Sequence, residues 1–267
     1  MDLELNGKRA LVTGGSRGIG KAIARALAQE GVDVALLARN PQTLAAAAAE
    51  LSAETGRKVI GVSANTTDDE TLRRAISDAA RQLGGAFDIL VNAAAEPAGF
   101  AGPPKLGEIS SAYFHAEMDT KVMGYIRCAR EVVPGMRAAG WGRIVNISGL
   151  GARQTGNAVG SMRNIAVAAL TKNMADELGA AGINVTVVHP GLTRTERTAP
   201  MLAARAAAQG VSKQAVEEQL AAGNSINHMV DALDVAHVVA FLCSPKSRAI
   251  NGDAIAAGGG APRSIHY

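Results

Sequence analysis

The segment VTGGSRGIGKA, residues 12–22, constrains the chain more than any other. It follows a short apolar run, RALVTG, and opens an amphipathic one, KAIARALAQEG. Glycines at Gly14, Gly18 and Gly20 divide the work in such a strand–turn–helix unit. Gly14 permits the tight turn, Gly18 lets the backbone approach a phosphate, and Gly20 lets the helix pack on the sheet. The helix start then offers unpaired N–H groups and a positive dipole end, with Ser16, Arg17 and Ile19 in the loop beside it. This context predicts a dinucleotide site rather than an ordinary turn.

The remaining pattern agrees. Apolar runs (VDVALLAR, KVIGVSAN, FDILVNAAA, GRIVNIS, INVTVVHPG) alternate with helical stretches. Nearly continuous apolar strands separated by helices imply a parallel sheet covered on both faces. We expect a single-domain α/β protein, a Rossmann-type doubly wound sheet in three α/β/α layers. Punctuation supports the boundaries: Gly31 and Gly56 after helices, Pro41 at a helix start, and an acidic first turn in DDETLRRAISDAARQLGG. The pattern loosens over 192–230, an Ala-rich helical stretch, before DVAHVVAFLCSP and a last strand in GDAIAAGGG.

The second strand ends LLARN, without the carboxylate that would grip the ribose hydroxyls of NAD. Arg39 stands there instead, and Arg17 lies in the loop. Two guanidinium groups suit a 2′-phosphate, so NADP(H) is expected in preference to NADH.

Other classes are disfavoured. Lys and Arg exceed Asp and Glu by only three and form no block, and aromatic residues are 3%. Neither a basic patch nor a stacking platform for nucleic acid is indicated. The two cysteines are far apart in apolar contexts, and no His/Cys/Asp set has metal-ligand spacing. No apolar stretch is long enough to span a membrane, and the N-terminus lacks a signal-peptide pattern, so a cytoplasmic protein is expected.

Taken together, TGGSRGIG (13–20), NTTD (65–68), LVNAAA (90–95), GRIVNIS (142–148) and HPGLTRTE (189–196) resemble the short-chain dehydrogenase/reductase family. The resemblance spans nearly the whole chain and implies the following assignments. Residues 13–20 form the cofactor loop, and Asn65 and Thr66 meet the adenine. Asn92, Ala93, Ala94 and Ala95 replace the family's Asn-Asn-Ala-Gly. Pro190, Gly191, Thr193 and Thr195 fall in the segment that holds the nicotinamide carboxamide. Residues 192–230 become a substrate lid. The assembly would be a homo-oligomer, a tetramer or dimer, using the helices over 113–139 and 164–178 and the C-terminal tail. The substrate would be a small alcohol or carbonyl compound.

The catalytic positions depart from the family. It uses a Tyr acid/base, a Lys four residues later, a Ser after the fifth strand and an Asn on the preceding helix. One anchoring puts Gly160 and Asn164 at the Tyr and Lys positions; the other puts Met162 and Ala166 there. Ser148, with Gly149 as competitor, falls at the Ser position, and Lys121 falls at the Asn position. The expected catalytic set is therefore Ser148, Lys121 and Asn164, with Lys121 as substitute proton donor unless it reaches solvent or pairs with Asp119. Arg163, His115 and His228 are further candidates; Tyr125 is expected to face the helix packing surface. The alternative is an NADP(H)-binding protein with little or no catalysis.

Overall fold

The computed structural model describes residues 1–95 and 102–262. Residues 96–101 of the Gly/Pro-rich loop, and the tail 263–267 with His266, lie outside the described residues.

Seven parallel strands form one sheet. They are β1 (Arg9–Thr13), β2 (Asp33–Ala38), β3 (Val59–Ser63), β4 (Ile89–Asn92), β5 (Gly142–Ile147), β6 (Ile183–Pro190) and β9 (Ala254–Ala257), in spatial order β3-β2-β1-β4-β5-β6-β9. A two-stranded ribbon pairs β7 (Thr193–Arg194) with β8 (Val230–Asp231). The helices are α1 (Gly18–Gln29), α2 (Pro41–Thr55), α3 (Asp69–Leu83), α4 (Ser111–Met118), α5 (Gly124–Ala139), α6 (Ala158–Leu178), α7 (Thr198–Gln209), α8 (Lys213–Ala221) and α9 (Ala232–Cys243).

Alternation along each strand builds two cores. Ala10, Val12, Val34, Leu36, Ile89, Val91, Val145 and Ile147 face one layer, with α1, α2 and α9. Leu11, Ala35, Leu37, Leu90 and Ile144 face the other, with α3, α5 and α6. Successive strand side chains point to opposite faces, so a strand covered twice must be apolar at every position. This is the doubly wound single domain expected. The strand order reverses between β1 and β4, where the C-terminal strand ends leave a crevice.

Local chemistry sets the element ends. Asn40 caps α2 by accepting from the Thr43 N–H, with Pro41 behind it, and Gly56 closes the helix at φ +67°. Asp68 caps α3. The helix over 113–139 is not continuous: a π-helical turn, Asp119–Met123, joins α4 to α5. α6 starts at Ala158, ahead of the expected start near Asn164, because Asn157 caps the Gly160 N–H at 2.8 Å.

A buried polar chain fixes β4 and β5 to α6. Asn92 Nδ2 donates to Asn146 Oδ1 (2.9 Å), Asn146 Nδ2 to Thr171 Oγ1 (2.9 Å), and the Thr171 hydroxyl to the Val167 carbonyl (2.8 Å). Buried polar groups are costly unless bonded, so this chain constrains how α6 seats on the sheet.

Candidate active site

A cavity of about 680 Å³ opens at the switch point. Its floor is the glycine loop, and sterics explain the glycines. A Cβ on Gly14 would lie 2.8 Å from the Ala93 carbonyl oxygen, and one on Gly20 would lie 2.3 Å from the Gly14 carbonyl oxygen. Gly18 takes φ +57°, a left-handed conformation that favours glycine. Thr13 Oγ1 accepts from the Ala93 and Ala94 N–H groups (3.0 and 3.1 Å), holding the β4 loop against the β1 turn.

Of the residues expected to bind the cofactor, Gly14, Ser16, Arg17, Gly18, Ile19, Gly20, Arg39, Asn65, Thr66, Ala93, Ala94 and Thr195 all line this cavity. Asn92, Pro190, Gly191 and Thr193 do not. Asn92 is fully buried in the polar chain, Pro190 ends β6, and the Thr193 hydroxyl donates to the Gly191 carbonyl at 3.0 Å. Arg39 directly follows β2, and Arg17 lies in the loop before α1. The cradle, the helix start and the guanidinium groups fit a dinucleotide with a phosphorylated ribose.

At the other end of the cavity lie Thr120, Lys121, Ile147 and Ser148. The π turn carries Lys121 inward, and only 4% of it is exposed. Its Nζ donates to the Ser148 carbonyl oxygen at 3.0 Å and to Asn164 Oδ1 at 2.9 Å. It neither reaches solvent nor pairs with Asp119, whose carboxylate is held by Arg127 at 2.8 Å. Ser148 Oγ donates to the Asn164 backbone carbonyl at 3.0 Å. The three residues expected to be catalytic, Ser148, Lys121 and Asn164, therefore form one hydrogen-bonded cluster.

Burial first, and then the neighbouring Arg163 guanidinium, bring the Lys121 ammonium down to about 7 against the opposing pull of Glu117. Desolvation disfavours the charged form of an amine, which sets this sign. Arg163 is tied to Glu117 in an ion pair, with both side chains mostly buried.

The other candidates lie elsewhere. The Tyr125 hydroxyl donates to the Ile147 carbonyl at 2.8 Å, and burial pushes its pKa well up. His115 and His228 are exposed and outside the cavity lining. No described tyrosine lines the cavity. Burial raises the Cys128 and Cys243 thiols to about 12, which leaves them unreactive at neutral pH.

One contact was not legible in the sequence. The Gly18 N–H, at the start of α1, donates to Glu196 Oε2 at 3.1 Å. The only cue was a carboxylate in the segment after β6, 178 residues away.

Comparison with known proteins agrees with this architecture. Residues 8–206 match the family model described as short chain dehydrogenase. Dehydrogenase/reductase SDR family member 4 of Oryctolagus cuniculus is 33% identical over 264 residues, covering 98% of this chain and 96% of that protein. A 3-oxoacyl-acyl-carrier-protein reductase of Aquifex aeolicus is 32% identical, covering 97% of this chain and 99% of that protein. The crystal structure of L-sorbose reductase from Gluconobacter frateurii, complexed with NADPH and L-sorbose, superposes with a TM-score of 0.91 at 28% identity, covering 99% of this chain and 100% of that one. With the family match extending over most of its length, the chain belongs to the short chain dehydrogenase family.

Proposed function

We propose that the protein is an NADP(H)-dependent oxidoreductase that interconverts a small carbonyl compound and its alcohol, with Lys121 as proton donor. The relatives are reductases by name, and the sorbose reductase binds NADPH. The observation that carries the reading is the buried Lys121 amine, anchored at the end of the dinucleotide cavity by Ser148 and Asn164.

An ammonium has three N–H bonds. Two are committed to the Ser148 carbonyl and Asn164 Oδ1. The third is the one Lys121 can give to a carbonyl oxygen in the cavity. The neutral amine left behind keeps both anchoring bonds, so proton transfer demands no rearrangement of the side chain. The bound nicotinamide would supply the hydride for the carbonyl carbon; oxidation runs the same steps in reverse. A donor that titrates near neutrality suits both directions.

Lys121 and Asn164 fall where the family carries an Asn and a Lys, so amine and amide have exchanged sides in this reading. On the anchoring that puts Asn164 at the Lys position, rather than the one that puts Ala166 there, Gly160 takes the place of the acid/base Tyr. A Cβ there would meet the Asn157 side chain at 2.7 Å, so a larger residue would disturb the cap of α6. The loop of residues 13–20 with Asn65, Thr66, Ala93, Ala94 and Thr195 would hold the dinucleotide. Arg17 and Arg39 would favour NADPH over NADH. Ser148 orients the cluster through both its carbonyl and its hydroxyl. That hydroxyl is committed to the Asn164 carbonyl, which favours a second reading, a dinucleotide-binding protein without catalysis.

Thermal unfolding with NADPH and NADH, followed by NADPH oxidation across a panel of aldehydes and ketones, separates the readings. Ligand at about 100 times its Kd adds about 2.7 kcal/mol of stability. Stabilisation with turnover supports the enzyme, stabilisation without turnover supports the binding protein, and neither would reject both.

A further inference from the structure

The geometry points to Glu196 as an intramolecular competitor for the dinucleotide: its carboxylate occupies a phosphate-donor amide of the glycine loop and latches the connection from β7 to α7 onto that loop. This inference rests on the dinucleotide reading above.

α1 needs an acceptor at its N-terminus. Its N-cap residue, Arg17, makes no side-chain capping bond, and its first turn holds no acidic residue. The exposed N–H groups and dipole of such an end attract an anion. The anion present is Glu196, with Oε2 3.1 Å from the Gly18 nitrogen. Gly18 is also the glycine that brings the backbone close to a phosphate. Glu196 lines the same cavity as Arg17, Arg39 and Arg197. A phosphate oxygen and this carboxylate would need the same donor, and two anions at one amide repel.

The position of Glu196 in the chain turns this competition into coupling. It lies between β7 and α7, two residues after the ribbon and two before the helix. Thr195 presents its methyl to Gly18, 3.7 Å from where a Cβ would sit, and its N–H donates to Thr198 Oγ1 at 2.9 Å. Glu196 is therefore the tip of the connection that starts α7. If it gives up the Gly18 amide, the constraint it places on that connection is released. A site that is competent only when the latch is open binds with an apparent Kd equal to the intrinsic Kd divided by the open fraction.

Two substitutions separate the latch from simple charge. Glu196→Ala removes the carboxylate. Glu196→Asp keeps the charge but shortens the side chain by one methylene. NADPH binding by titration calorimetry, and amide exchange at Gly18 and across α7 in the free protein, are measured for both and for the parent. The latch predicts faster Gly18 and α7 exchange in both variants, and NADPH binding tighter by about three- to tenfold in both. If Asp binds like the parent and only Ala tightens, the effect is long-range repulsion and the latch is overturned. Unchanged or weaker binding in both, or unchanged Gly18 exchange, also overturns it. If NADPH binds none of the three proteins, the dinucleotide reading fails and the latch falls with it. That outcome differs from failure of the latch alone, in which the parent binds.

Discussion

The Lys121 amine and the Asn164 side-chain carbonyl lie 2.9 Å apart, joining the π-helical turn before α5 to the second turn of α6. The pair is 43 residues apart in sequence and buried. Exchanging the two residues should therefore be less damaging than changing either. Asn164→Lys sets a second buried ammonium beside the first, which should cost about 3 kcal/mol. Lys121→Asn deletes the amine and leaves Ser148 without its donor. The double variant Lys121→Asn/Asn164→Lys restores one amine and one amide. We expect it to recover at least 1 kcal/mol relative to the sum of the single variants, within the usual range of coupling energies. Urea unfolding of all four proteins measures this.

Lys121→Met should lower carbonyl reduction by roughly 10²–10⁴-fold, the ordinary contribution of a positioned proton donor. The reduction rate of the parent should fall as pH rises through about 7, because the donor must be protonated and burial holds Lys121 near that value. In the Met variant this limb should vanish while NADPH still stabilises the protein. Parent-like rates would remove Lys121 from the chemistry.

The same burial gives stability a pH dependence. The folded-state pKa of Lys121 lies below its ordinary value of 10.5, so between about 7 and 10.5 the unfolded chain binds the proton and the folded chain does not. Stability then rises with pH across that window. Below it, both states are protonated and the folded state bears the desolvation cost. The stability difference between the parent and Lys121→Met should therefore shift in favour of the parent as pH rises from 7 to 10. Denaturant titrations at four or five pH values test the sign.

Arg39 follows β2 at the cavity rim, where a carboxylate would read a ribose hydroxyl. Arg39→Asp should weaken NADPH by roughly thirtyfold, about 2 kcal/mol, since bonds between charged groups contribute about 1.5–3 kcal/mol. NADH affinity should stay level or improve. Equal losses for both cofactors, measured by calorimetry, would show that Arg39 does not read the 2′-phosphate.

Asn146→Leu keeps the approximate volume but breaks the buried chain from Asn92 to Thr171. The Asn92 amide loses its acceptor in a site with no access to water. We expect a loss of about 2–3 kcal/mol in urea unfolding with an unchanged slope. A loss under 0.5 kcal/mol would mean that water or a shifted partner replaces the bonds.

The fold was legible in the sequence because its signals are local. Strand alternation, helix caps and the approach of Gly20 to Gly14 all act within a few residues, so the glycine loop and the parallel sheet could be read directly. The start of α6 departs from the expected one for an equally local reason: Asn157 is a capping residue, and the bond it accepts from Gly160 starts the helix nearly two turns earlier.

The reactive end was legible only as types of residue. That Lys121, Ser148 and Asn164 meet depends on a π turn that rotates one side chain inward and on two helices brought together by the sheet. No periodicity encodes that rotation. The Glu196–Gly18 contact is more distant still, because the chain returns to its glycine loop only after six further strands, β2 to β7, have been laid down. The sequence by itself determined where a dinucleotide could bind, since backbone sterics there tolerate little but glycine. The tertiary structure alone decided which charged groups are desolvated, and hence that Lys121 can titrate near neutrality and that Glu196 stands at the phosphate-binding amide.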